Sequence, residues 1–338
     1  MLEREKFIKK YLNEFVPYVI SNIISEYADS LIGKCELTLK AHYGSPVIEC
    51  AILSDAQLIT RSYDKVFKIW NICTKKCEGD LKGLGGWYTP AYNLQNGLVS
   101  WSEGNTLKIS NIHYDGQIKN EFSFKGHTDW VRCCAKVPNC DKIVSGSYDR
   151  TLKIWNTKTE KCELTLTGHT AGVLCCAILP DHYNYRIISS SIDKTLKIWN
   201  IQTILPQGNC DLTLEGHTDY VSCCAVLSDK YVVSGSHDCT LKIWNVQTVK
   251  LAGKCELTLK GHTQSIYCCA KLSNCKIVSG SADGTLKIWN IYTDIHGNLQ
   301  GNCELTLNGH KDTVTFCKVL HDGRIVSGSY DGKLKIWS

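Results

Sequence analysis

The chain is poor in most of the features that mark other protein classes. Proline occurs only six times in 338 residues and no long polar low-complexity run interrupts the sequence, so wholesale disorder is not expected. No stretch approaches the ~20 consecutive apolar residues of a membrane-spanning helix. The opening residues, Met1 to Lys6, mix acids and bases. They lack the basic start, apolar run and small-residue cleavage site of a secretory signal. The expected compartment is therefore the cytoplasm, with the nucleus as second choice. The net charge of +5 is mild for this length, and lysine and arginine are not clustered as a nucleic-acid footprint would require. Also missing are a G-x-S-x-G elbow, a Gly-rich phosphate loop and an H-E-x-x-H metal pair. Neither a catalytic residue nor a cofactor is indicated.

What the chain does have is cysteine and repetition. Its twenty cysteines read as free thiols in a reducing compartment. Most recur with a period. One set precedes an E-L-T-L-like run (Cys35, Cys162, Cys210, Cys255, Cys303). A second lies in the strand after a Gly-His pair (Cys50, Cys134, Cys176, Cys224, Cys269, Cys317). Free cysteine behaves as a small buried hydrophobe, so both sets are expected to pack in a core. Cys73 and Cys77 lack a matching second pair, and no metal is expected.

The stretch Gly126 to Trp155 sets the period. It reads G-H-T-D-W-V-R-C-C-A-K-V, then a turn, then K-I-V-S-G-S-Y-D-R-T-L-K-I-W. Tryptophan or its replacement ends each unit at 70, 110, 155, 199, 244, 289 and 337, which gives seven units of about 40–48 residues, the period of four-stranded propeller blades. In the third unit the strand-like runs are Val131–Val137, Lys142–Ser147, Thr151–Asn156 and Cys162–Leu166, separated by turn-forming residues.

Six units carry Gly-His or Ala-His well before the Trp and an Asp six residues ahead of it. In this the chain from Leu31 to Ser338 resembles the WD-repeat β-propeller family. The resemblance implies an all-β, seven-bladed propeller over residues 31–338, preceded by a helical segment over 1–30. The last unit ends at Trp337 without a fourth strand, so the E-L-T-L run at Cys35 to Leu39 should close the ring and leave no open edge. The family also implies a hydrogen-bonded chain in each blade: His127, Ser145, Asp149 and Trp155 in blade three, with counterparts in blades one and four to seven. Buried indole and imidazole N–H groups each need an acceptor. Ser, His and Asp together also suggest a hydrolase triad, but six copies around one ring fit a framework, and the protein is not expected to be an enzyme.

Blade two departs from the pattern. It has no Gly-His, Gly104 stands where Asp is expected, Ser110 replaces Trp, and Trp101 replaces the Gly of S-G-S. It reads either as a drifted repeat or as a blade reshaped for a ligand, with Trp87, Tyr88 and Trp101 exposed. Lysine precedes Trp by two residues in all seven units, from Lys68 to Lys335, which reads as stem packing with a solvated ammonium. The longest inserts, 201–209, 246–254 and 291–302, read as ordinary connections between blades on the far face.

Residues 1 to 30 lie outside the repeat, with apolar residues at helical spacing and Pro17 at a break. Phe15 to Tyr27 resembles the first helix of an F-box over barely a third of such a domain. Two readings stand: a cap on the propeller, or a segment, residues 7–28, that docks a ubiquitin-ligase adaptor and makes the protein a substrate receptor.

Positions that differ between units are free for binding. One set flanks the Val or Ile opening the first strand (Trp130, Arg132, Tyr220, Tyr267). The other immediately precedes the turn Asp (Tyr63, Tyr148, His237, Tyr330). The family resemblance puts both sets on one face, around the channel mouth. Tryptophan, tyrosine and arginine often dominate interfaces. The expected partner-binding residues are Trp130, Arg132, Tyr148, Tyr220, His237, Tyr267 and Tyr330, and the expected partner is a protein or peptide.

Overall fold

The computed structural model describes residues 33–42, 44–54, 56–81, 92–93, 98–112, 118–179, 185–201, 209–247, 253–273 and 275–338. The helical segment expected over 1–30, the adaptor-docking role given to residues 7–28, and Trp87 and Tyr88 lie outside them. Among the described residues are seven antiparallel four-stranded sheets. In blade three the strands are Val131–Lys136, Lys142–Ser147, Thr151–Asn156 and Cys162–Thr167, within a residue of expectation. The innermost strands of successive blades touch, except that blade three's meets the second strand of blade two, and those of blades one and seven touch as well, so the ring is closed.

Each blade buries aliphatic residues of alternate strand positions against its neighbour. Val173 of blade four, for example, packs with Cys133, Val144 and Leu152 of blade three. The sheets approach so closely that a Cβ on Gly146 would sit 2.6 Å from both Cys133 Sγ and Val173 Cγ1. Glycine at this point of S-G-S is a packing requirement.

Closure follows the expected route. Cys35–Lys40 pairs antiparallel with Lys333–Trp337 as the outer strand of blade seven, and Gly33 and Lys34 donate their N–H groups to Ser338 O. The seam between blades seven and one is also polar on the inside. Thr315 Oγ1 donates to Val47 O at 2.6 Å, while Lys318 Nζ donates to Cys50 O and pairs with Glu49 at 3.0 Å. Burial pushes the Lys318 ammonium down, but the Glu49 carboxylate outweighs it and holds the group above its ordinary value.

Three expectations need correction. The cysteines of the outer strands are not core residues: Cys162, Cys210 and Cys303 are exposed, Cys35 and Cys255 only half-buried. The outer strand has a bulge beside the tryptophan, with Cys162 opposite Trp155. From there the thiol turns back on its own strand, Cys162 Sγ to Leu164 O at 3.5 Å. The inner set is buried as expected except Cys269, which is intermediate, and burial raises the Cys50 and Cys134 thiols to about 12. The repeated lysines, second, do not simply extend to solvent. Lys153, Lys197, Lys242, Lys287 and Lys335 donate to an outer-strand threonine, and Lys68 and Lys108 pair with Asp80 and Glu121. Third, none of the three inserts joins blades: 201–209, 246–254 and 291–302 each fall between the third and outer strands of one blade, in blades four, five and six. The insert at 291–302 is a hairpin between Leu286–Thr293 and Leu299–Leu307. Asp294 closes its turn by accepting N–H groups of His296 and Asn298.

Candidate functional site: the aromatic end of the ring

The framework explains how this end is held. In blade three Trp155 Nε1–H donates to Ser145 Oγ at 2.7 Å. The serine hydroxyl lies 2.8 Å from His127 Nε2, and His127 Nδ1 lies 2.7 Å from Asp149 Oδ2. A neutral imidazole satisfies every atom: Trp donates to Ser, Ser to His, His to Asp. The same chain recurs in blades four to seven and, with Thr60 as the hydroxyl, in blade one. Asp149 Oδ1 also accepts Thr151 N–H and Oγ1–H, and its Oδ2 accepts Thr128 N–H. Burial pushes this carboxyl up, but hydrogen bonds from His127 and Thr151 outweigh it and hold it well below the usual carboxylate range. Asp193 and Asp238 behave alike, and Asp331 falls to about 2.

The first serine of S-G-S therefore belongs to the network, while the second anchors the loops. Ser147 Oγ donates to Asp129 O and accepts Asp149 N–H, and the equivalent serines of blades four to seven do the same. Ser145 has the spacing of a triad nucleophile, yet it is fully buried and its oxygen already accepts the indole N–H. No substrate reaches it in this arrangement.

Blade two solves the same packing problem by an exchange. Strand register puts Trp101 opposite Lys108 and Ser110 opposite Val99. In blade three Ser145 is opposite Lys153 and Trp155 opposite Ile143. Trp101 thus takes the place of the network serine, not of glycine, and Ser110 takes the place of the network tryptophan. The turn is one residue shorter, and Gly104 is not a substitute for Asp but half of a two-residue Gly104-Asn105 hairpin with φ +61°, a conformation that favours Gly and Asn. The Trp101 indole is buried, not exposed. It packs with Phe67, Ile69 and Leu81 of blade one, as Trp155 packs with Leu107, Ile109 and Phe124 of blade two.

At the turn end of the blades the two variable positions are joined by a backbone hydrogen bond. Tyr148 N–H donates to Trp130 O and His237 N–H to Tyr220 O, both at 2.9 Å, and Tyr330 N–H donates to Thr313 O at 3.0 Å. Residues ~18 apart in sequence are thereby held side by side. The rings then run across blades. Tyr220 and His237 have centroids 5.5 Å apart, and His237 and Tyr267 are 5.2 Å apart. Tyr330 meets Tyr63 of blade one at 6.0 Å, with hydroxyls 3.4 Å apart. Burial, and then nearby Tyr330, raises the Tyr267 phenol. In blade three Arg132 lies over the Tyr148 ring at 5.6 Å. Trp130, Tyr220 and Tyr267 are 38%, 41% and 36% exposed, while Arg132, Tyr148, His237 and Tyr330 are half-buried. Tyr63, not among the residues expected to bind, joins the run because the ring closes beside Tyr330. Only closure brings together residues 267 positions apart. Among the described residues no three His, Cys, Asp or Glu side chains are placed to hold a metal ion.

These features define a closed seven-bladed propeller, six of whose blades are locked through Trp, Ser or Thr, His and Asp. The model for the WD domain, G-beta repeat matches residues 33–71, 118–156, 160–200, 208–245, 253–290 and 301–338, and the chain belongs to that family. The first three strands of the second blade fall in the gap between matches. The chain is 29% identical over 114 residues to the ribosome biogenesis protein WDR12 homolog of Culex quinquefasciatus, covering 33% of this chain and 27% of that protein. It is 28% identical over 123 residues to WD repeat-containing protein 37 of Mus musculus, covering 36% and 24%. The matches thus span about a quarter of each relative. The WD40 β-propeller domain of Doa1 superposes with a TM-score of 0.72 at 23% identity, over 90% of this chain and 96% of that one, which shows the shared fold.

Proposed function

We propose that the protein is a non-catalytic interaction scaffold that binds a peptide or protein at the aromatic end of the ring. The carrying observation is the backbone pairing of two variable positions in six of the blades, which with Tyr267 gathers Tyr220, His237, Tyr330 and Tyr63 at one end of a closed disc. Aromatic side chains offer large contact area at low ordering cost, and Trp, Tyr and Arg dominate measured binding hot spots. Trp130, Arg132 and Tyr148 extend the surface on blade three. The buried serines of the hydrogen-bonded chains support a framework role rather than catalysis. Exposed free thiols such as Cys73, Cys162 and Cys303 suit the reducing cytoplasm, where we place the protein.

The test is affinity purification with the wild-type chain and a Trp130→Ala, Tyr220→Ala, Tyr267→Ala variant in parallel. Proteins captured by the first and lost by the second, at equal thermal stability, support this face. Unchanged capture by a folded variant rules it out.

A further inference from the structure

Blades three and five differ at one pair of positions in a way that points to a ligand. Blade three carries Tyr148 before its turn aspartate and Arg132 after the first Val of its inner strand, and the guanidinium stacks on the tyrosine. Blade five carries His237 and Ser222 at these places. Its histidine ring lies between Tyr220 and Tyr267, at 5.5 and 5.2 Å, and Ser222, in the place of Arg132, supplies no cation. The segments that build this corner, 216–222, 236–240, 261–267 and 281–285, contain Asp219, Asp238 and Asp283 and no lysine or arginine. The corresponding parts of blades one, three, four and seven all include a base: Lys65, Arg150, Lys194 and Lys311. Burial, and then Asp238, Asp283 and Asp219, raise the thiol of Cys239, two residues after His237. Asp219 is fixed in place, accepting Tyr220 N–H at 2.8 Å. Burial lowers the His237 pKa against the pull of Asp219, so near neutral pH the imidazole adds a ring rather than a positive charge.

Aromatic faces attract a cation within about 6 Å of the ring centroid. Rings spaced as these are let one cation touch two of them, and the carboxylates set the sign of the field. We propose that Tyr220, His237 and Tyr267 form a subsite for one cationic side chain, an ammonium or guanidinium, of a basic peptide laid across the aromatic end of the ring. The proposal rests on the binding face proposed above and names the chemistry that one corner of it selects. An acidic peptide or a nucleic-acid backbone would be repelled by the same carboxylates.

The test uses the full chain and peptide pools whose central residue is fixed as lysine, trimethyllysine, arginine or norleucine, with random flanks. Norleucine keeps the apolar stem and removes the charge. At least one cationic pool should bind about fivefold to thirtyfold more tightly than the norleucine pool. That preference should vanish in Tyr220→Ala and Tyr267→Ala and survive in Tyr220→Phe and Tyr267→Phe, which keep the rings. The phenylalanine pair keeps the test decisive if an alanine variant fails to fold, because loss of the preference in folded Phe variants would overturn a π-face site. Equal binding of norleucine and cationic pools, lost on Trp130→Ala, would overturn the subsite and leave the binding face standing. No binding by any pool would count against both.

Discussion

Blades two and three build the same wall of the ring from opposite arrangements. Blade three delivers an indole from its third strand and locks it to a second-strand serine, a histidine and an aspartate. Blade two delivers the indole from its second strand, leaves a serine on the third, and shows no such lock among the described residues. Both indoles fill the corresponding space against the preceding blade. The inter-blade core therefore requires a tryptophan's volume, while the polar chain is a separate device that orders the turns and loops at one end. Blade two keeps a two-residue turn there and holds to blade three by other bonds: Ser102 Oγ to Val131 O at 2.9 Å, and Val131 N–H to Gly104 O at 3.1 Å.

The largest effect that bears on this contrast is removal of either indole. Trp155→Ala and Trp101→Ala should each cost about 3–5 kcal/mol in urea unfolding. A Trp101 variant costing less than about 1 kcal/mol would mean that its ring does not occupy the core. Next come the hydroxyls. Ser145→Ala strands the indole N–H and the histidine acceptor and should cost about 1–3 kcal/mol. Ser110 is the converse. Its buried hydroxyl has no hydrogen-bond partner among the described residues, so Ser110→Ala should be neutral or stabilising, and a clear loss would contradict the exchange.

Acid should separate the blades in the same order. The turn aspartates of blades three to seven have folded pKa values below the unfolded ~3.9, so between these values the unfolded chain binds more protons and stability falls as the pH falls. The contribution is complete above about 4 and disappears as pH drops through the folded values, which reach about 2 at Asp331. Burial also lowers His42 and His262, against the pull of Asp64 and Asp283 respectively, so a smaller loss begins as pH falls below ~6.5. Hydrogen exchange should show blades one and three to seven opening with acid before the Gly104 turn does. Simultaneous opening would tie that turn to the network. The smallest stability effects belong to the aromatic end, where Trp130→Ala, Tyr220→Ala and Tyr267→Ala should each change unfolding free energy by less than about 0.5 kcal/mol.

The lock was legible because its members are polar, recur at a fixed distance from tryptophan, and would be costly to bury alone. Ring closure was legible from a strand missing at one end and spare at the other. Trp101 was misplaced because the register of blade two depends on a turn one residue shorter, which counting back from a tryptophan cannot reveal when the tryptophan has moved. The outer cysteines were misread because a bulge changes which side of the strand a residue faces while leaving the period intact. At the candidate site, the two variable positions stood out in the sequence. What joined His237 to Tyr267 and Tyr63 to Tyr330 is contact between blades, which depends on the closed ring.

The central claim is that residues shared by the blades hold the fold while those that differ bind. Its most direct test measures melting temperature and partner capture together for two variants, His127→Ala and the Trp130, Tyr220, Tyr267 triple alanine. The account predicts a lower melting temperature with capture retained below it for the first, and an unchanged melting temperature with capture lost for the second. Capture retained by a folded triple variant would contradict it.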